Sequence, residues 1–199
     1  MPTLSRADLW SLEEYSQRRP AFRAQVMAHK KNRQVSLGEH SRLYFEDALT
    51  IRYQIQEMLR IEKVFEAHAI EEELAAYRPL IPDRHNWKAT FMIEYDDPDE
   101  RALQLSRMIG IEEKVWVQIE DCEPIYPIAD EDLPRENDVK TSSVHFLRFE
   151  LSSPMIAAAN AGCDIYAGID HPAYAISKVK LPPAVRDSLA NDLQPSVLN

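Results

Sequence analysis

Glu62 stands where a carboxylate is unexpected. In helical register the stretch YQIQEMLRIE (53–62) and its flanks place Ile51, Ile55, Met58, Leu59, Ile61 and Phe65 on one arc, with Gln54 and Glu62 inside it. A carboxylate on an apolar face is paired, protonated or at the edge of the core. Three readings follow: a salt bridge to an arginine of the N-terminal helices, a fanned helix end that reaches water, or a metal ligand or proton acceptor in a pocket. Glu57 and Arg60, three residues apart on a neighbouring face, are expected to pair with each other.

A second cluster of reactive types lies toward the C-terminus. GIDHPAY (168–174) closes a strand with Asp170 and His171, and Pro172 keeps the chain extended. His145 lies on a partner strand, on the face shared with Leu147, Phe149 and Leu151. If the strand ends meet at a cleft, His145, Asp170, His171 and Tyr174 could hold a metal or an anion, or carry out general acid–base chemistry. The competing reading makes Asp170 a turn cap and both histidines packed and hydrogen-bonded. No Glu is followed by His at the third position, against a di-iron bundle. G-x-S-x-G, P-loop, G-x-G-x-x-G and H-E-x-x-H signatures are all missing, so no reaction is signalled and no cofactor is called for.

The elements that would position these residues are readable. Ser5 can cap a short helix through Tyr15, and Pro20 suits the first turn of a second helix ending near Asn32. Val35/Leu37 and Leu43/Phe45 alternate around GEH as a hairpin. Asp47 or Thr50 starts the helix that carries Glu62, and IEEELAAYRPLI forms another. From residue 83 the pattern changes. Trp87, Ala89, Phe91, Ile93 and Tyr95 share one strand face. A helix capped by Asp97 and stopped by Gly110 follows, and then the strand KVWVQIE. After an acidic, proline-broken segment, EDCEPIYPIADEDLPRENDVK, comes the strand VHFLRFELS, a helix from Ser153 to Gly162, the strand CDIYAGID, the strand YAISKVKL and a last helix. The fold class is therefore α+β: a helical region with a hairpin over 1–82, then a ferredoxin-like (split β-α-β) antiparallel sheet region over 83–199, with the two integrated or separate.

Charge narrows the partners. The 199 residues carry a net charge of −10. Residues 1–80 hold 12 basic and 12 acidic side chains, leaving 11 and 21 beyond. An acidic surface repels phosphate backbones, which argues against nucleic acid. One acid-free basic stretch (Arg18, Arg19, Arg23, Lys30, Lys31, Arg33) is either a solvated helix face or a docking surface for acidic groups. Cys122 and Cys163 form no C-x-x-C, and no apolar run approaches membrane-spanning length. The expectation is a cytoplasmic protein with reduced thiols.

Taken in order, AHKKNRQVSLG, FEDALTIRYQIQEMLRIEKVFE, LIPDRHNWKATFMIEY, VHFLRFELS and GIDHPAY resemble a family of uncharacterised bacterial proteins, and the likeness spans nearly the whole chain. The family transfers no catalytic residues. Genes of such proteins often lie beside rubrerythrin-like non-haem iron proteins and iron–sulfur oxidoreductases. The resemblance therefore implies an accessory, partner-binding protein of a redox or peroxide-stress system with no redox centre of its own. It would dock a rubrerythrin-like or iron–sulfur protein through its acidic loop or basic helix. The alternative is a metal-dependent or acid–base enzyme with its site near Glu62 or near His145, Asp170 and His171. A homodimeric structural subunit is a third possibility.

Overall fold

The computed structural model describes residues 4–137 and 139–193; Asp138 of the acidic segment and the last six residues lie outside them. Helix α1 (Leu12–Lys30) starts at Ser11, whose hydroxyl accepts from the Glu14 amide, after a single turn at Arg6–Asp8. Pro20 does not divide it. It sits on the exposed face, so the carbonyl of Ser16, deprived of its helical donor, faces water. Tyr15, Phe22 and Val26 form the buried face of α1, against Leu49 and Tyr53 of helix α2 (Ala48–Glu62). Asp47 caps α2, accepting from the Thr50 amide at 2.9 Å. Helix α3 (Ala67–Tyr77) folds back on α2 around Leu74.

Strands β1 (Gln34–Ser36) and β2 (Ser41–Phe45) make the expected hairpin, with Gly38 at φ +78 in its turn. β3 (Asn86–Ile93), β4 (Val115–Ile119), β5 (Ile128–Ala129), β6 (Val144–Glu150), β7 (Ile165–His171) and β8 (Tyr174–Lys180) follow. Helices α4 (Pro98–Arg107), α5 (Ser153–Asn160) and α6 (Pro183–Ala190) intervene, and Asp97 caps α4 as expected. The class is α+β, but the strand order is not that of a ferredoxin-like sheet. There are two sheets, β1-β2-β3-β6-β5 and β4-β7-β8, with every pairing antiparallel. β3 and β6 are neighbours, yet their outer edges bond to β2 and β5, so β4 finds its partner in β7 instead. The hairpin thus joins β3, and the larger sheet draws strands from both sides of residue 82.

One apolar core unites the two sheets: Leu43, Trp87, Phe91, Leu147 and Phe149 meet Val115, Val117, Ile165 and Ile169, with α5 and α6 contributing Ile156 and Leu189. Alternation puts the other side chains of β3 and β6, among them Lys88, Thr90, Phe146 and Arg148, on the opposite face. Among the described residues no helix is long and apolar enough to cross a membrane.

Candidate functional site

The outer face of the five-stranded sheet lies under the α2–α3 helical hairpin, and the two do not close. Between them is a cleft of ≈ 410 Å³. Met58, Ala76, Pro79, Leu80 and Phe146 supply most of its apolar wall. Gln54 from α2 and Tyr77 from α3 both line it. Burial raises the Tyr77 phenol above its usual range, with Glu73 adding to the effect. Glu46 lines it too, buried, with Oε1 accepting from the Thr90 hydroxyl at 2.8 Å and Oε2 from the Thr50 hydroxyl at 2.6 Å.

Two cations line this cleft, and they differ. Lys88 and Arg148 face each other across the β3–β6 pairing. Arg148 holds Glu131 through both arms at 2.7 Å and also contacts Glu150. The Lys88 ammonium donates only to the Pro79 carbonyl and forms no ion pair among the described residues. Burial, reinforced by Arg148, holds the Lys88 amine below the ordinary lysine range. An amine in that state suits a ligand carboxylate or carbonyl.

Of the residues singled out by sequence, Gln54 is in the cleft and Glu62 is at its distance from the core. Glu62 ends α2 exposed, and Ile61 and Phe65 beside it are 62% and 72% exposed. It therefore reaches water at the helix end. Its charge, after burial, helps raise the Glu73 carboxyl on α3. The expected arginine bridge is made instead by Glu57. Its carboxylate takes Arg19 of α1 at 2.7 and 2.8 Å, the buried Tyr15 hydroxyl at 2.7 Å, and Arg60 at 3.3 Å, the last as expected. The Arg19 hydrogen bonds, with Tyr15 and Arg60 behind them, hold Glu57 near a pKa of about 2. Because the folded value lies below the free one of 4.5, the network stabilises the fold above that pH and is lost as pH falls toward 2. Discounting for partial exposure, we expect the wild type to lose about 2 kcal/mol more than Glu57→Gln between pH 5 and pH 2 in urea melts. Equal losses would remove Glu57 from the acid response.

The C-terminal candidates do not converge. His145 is on β6 of the larger sheet, whereas Asp170, His171 and Tyr174 are on β7 and β8 of the smaller one; no hydrogen bond or ion pair links the two sets among the described residues. Asp170 accepts from the exposed Tyr126 hydroxyl at 2.6 Å. His171 accepts from the Ala173 amide at Nδ1 and donates from Nε2 to the Ile109 carbonyl at 3.1 Å. Tyr174 donates to the Leu37 carbonyl and receives the His40 amide, bracing the hairpin on the second sheet.

His145 gathers partners that its own strand does not predict. It is wholly buried. Nδ1 lies 2.6 Å from Asp130 Oδ2. Nε2 lies 3.0 Å from both the Thr141 hydroxyl and the Ser142 carbonyl, and 3.8 Å from Glu112 Oε2. Glu112, Asp130 and His145 are the one group among the described residues whose donor atoms lie close enough together to share a metal ion. Lys88, Glu46, Glu112, Asp130 and Thr141 were not singled out as site residues in the sequence, where Asp130 counted only as part of the acidic segment. Lys88 alone left a signal, as a cation on the outward face of an otherwise apolar strand.

A search of curated proteins finds no match. A solved structure does: the crystal structure of a novel protein of unknown function from Burkholderia pseudomallei K96243, at 1.90 Å resolution, is 51% identical, covers 96% of this chain and 100% of its own, and superposes with a TM-score of 0.92. The family model described as protein of unknown function (DUF3501) matches residues 3–193, and the chain belongs to that family.

Proposed function

We propose that the protein binds a small, mainly apolar organic molecule bearing one carboxylate, seated in the cleft between the α2–α3 hairpin and the larger sheet. The observation that carries this reading is Lys88: a half-buried ammonium, hydrogen-bonded to a carbonyl and in no ion pair among the described residues, with the Asp83, Glu131 and Glu150 charges acting on it only from a distance, at the edge of a largely apolar space large enough for such a molecule. A ligand carboxylate would give Lys88 the direct ion pair it lacks among the described residues, and burial strengthens the resulting hydrogen bond. Met58, Leu80 and Phe146 take the apolar body. Gln54 and Tyr77 offer polar contacts on the helical side.

The test is calorimetric titration with a panel of medium-chain and aromatic carboxylic acids and the matching alcohols. The expected result is that an acid binds the wild type and that Lys88→Met weakens it by about 10–100-fold while leaving the alcohol unchanged. Acids that bind neither protein, or both equally, overturn the reading.

The docking role implied by the resemblance has fewer free charges than the sequence suggests. In the acidic segment Asp130 is on His145, Glu131 on Arg148, Asp132 on Arg135, and Glu136 on the Gly110 amide. In the basic stretch Arg18, Arg19 and Arg33 are paired within the chain.

A further inference from the structure

We infer that His145 Nε2, Glu112 Oε2 and the Thr141 hydroxyl hold one divalent metal ion, with Asp130 orienting the imidazole from behind. Three observations, none of them involving the cleft, converge on this. The first is spacing. Nε2, Oε2 and the hydroxyl oxygen stand 3.8, 3.4 and 3.0 Å apart. Ligand atoms around one first-row ion at about 2.1 Å are roughly 3.4 Å from each other. The 3.8 Å gap is too long for a hydrogen bond and of the right order for an ion between the two.

The second is Glu112 itself. It is only 6% exposed, yet no lysine or arginine pairs with it among the described residues, and its one side-chain donor is Thr141 at 3.4 Å. Asp130 and Glu136 line the same groove and add negative charge around it. A carboxylate buried without a full counter-charge is costly, and a cation is what relieves it. The third is the orientation of His145. The 2.6 Å contact from Nδ1 to Asp130 holds the ring with Nε2 facing the Thr141 hydroxyl and the Ser142 carbonyl, each at 3.0 Å, and Glu112 at 3.8 Å, so that Asp130 stands behind the imidazole as in the carboxylate–histidine–metal arrangement of metal sites. Asp130 is in turn held by the Phe146 amide at 2.9 Å and by Arg135 at 3.1 Å. A groove of ≈ 300 Å³ lined by Glu112, Asp130, Arg135 and Glu136 reaches the Glu112 side of the site, while His145 and Thr141 lie buried behind it. The donor set is one imidazole nitrogen with carboxylate and hydroxyl oxygens, so the ion belongs to the Mn²⁺, Fe²⁺ and Zn²⁺ group rather than to soft, thiolate-bound metals.

Equilibrium dialysis of the stripped protein against Zn²⁺ and against Mn²⁺, followed by metal determination, tests the site, with cobalt(II) absorption as a second readout on the wild type. One ion per chain is expected, with a shifted cobalt band. Glu112→Gln, which keeps the shape, and Asp130→Asn are each expected to lower affinity by about 10–100-fold, while His68→Ala, at an exposed histidine, changes nothing. Should a variant fail to fold, the cobalt spectrum of the wild type still decides. No stoichiometric metal and no shifted band, or binding that survives both substitutions in folded protein, overturns the inference and leaves His145 as a buried histidine hydrogen-bonded to Asp130 and Thr141.

Discussion

Replacing Arg33 by Met is expected to cost about 3–5 kcal/mol of stability, seen as a lower urea midpoint and a melting temperature roughly 10–15 °C down. Arg33 is 2% exposed and uses its whole guanidinium. Nε donates to the Phe45 carbonyl and Nη2 to the Glu46 carbonyl, each at 3.0 Å. Nη1 reaches the Ser188 hydroxyl at 3.1 Å, and Nη2 meets Asp192 at 2.5 Å. Asp47 completes the network at 3.4 Å. The two carboxylates respond differently to the shared cation. Burial raises Asp192 above the usual carboxylate range, with Arg33 opposing. At Asp47 burial pushes up too, but Arg33, the Thr50 amide and His29 together bring it below that range. A methionine of similar volume leaves Asp192 buried without its cation and Asp47 with His29 alone, which is the expensive outcome; removing the whole network costs less. Arg33→Met combined with Asp192→Asn should therefore recover part of the loss. A single-variant loss below about 1 kcal/mol would mean that water reaches these carboxylates. The consequence extends to the cleft, because Arg33 fixes the backbone of Glu46, whose side chain stands between Thr50 and Thr90 in the cleft.

How far the sequence carried this picture depends on whether the information was local. Caps and alternation are local. Asp97–Pro98 started α4, Asp47 started α2, and the Trp87–Tyr95 alternation marked the core face of β3, since each signal is satisfied by neighbours in the chain. Partner choice is not local. Nothing in KVWVQIE says that it pairs with β7 rather than joining β3, and that choice turned one expected sheet into two. The phase of α2 shows the same limit at one helix. Its apolar arc was drawn through Ile61 and Phe65, both exposed, while the fully buried polar residue is Gln56. Gln56 can be buried because its amide takes the Trp10 N–H at 2.7 Å and returns a bond to the Trp10 carbonyl, 46 residues away. Likewise Arg19 chose Glu57 over Glu62, five residues apart, because Glu57 faces α1 and Glu62 is exposed at the end of α2. His145 was legible as a histidine on a buried face. Its partners arrive from three separate segments, so the cluster exists only in the fold.

Adding a single methyl group at Gly168 is expected to be about as damaging as losing a large core side chain, near 3 kcal/mol for Gly168→Ala and more for Gly168→Val. The position has ordinary strand geometry, so the reason is space and not backbone strain. Gly168 lies opposite Trp116 in the β4–β7 pairing, and the indole covers it. A Cβ there would lie 2.6 Å from Trp116 Cε2 and 2.8 Å from the Ile176 carbonyl oxygen, with another indole atom closer still. The tryptophan ring cannot move into the strand, and the carbonyl belongs to the backbone of β8, where the pairing register already shifts between Ala167 and Ile169. Relief requires the indole to swing out, which exposes a side chain now 7% accessible, or β8 to separate from β7. The two responses differ in fluorescence. A swung-out Trp116 gives a red-shifted component that Trp116→Leu abolishes, whereas strand separation changes stability with little shift. Gly110 and Gly162 are the internal comparison. They have positive φ, +81 and +85, and open space where a Cβ would go. Alanine there should cost about 1 kcal/mol of backbone strain and leave the emission alone. If Gly168→Ala behaves like those two, the close approach of Trp116 is softer than the packing implies, and the second sheet can adjust around a side chain at its centre. If it costs the larger amount, the aromatic cover over a glycine is what fixes the β4–β7 register, and with it the position of Ile111–Lys114, the turn that presents Glu112 to His145.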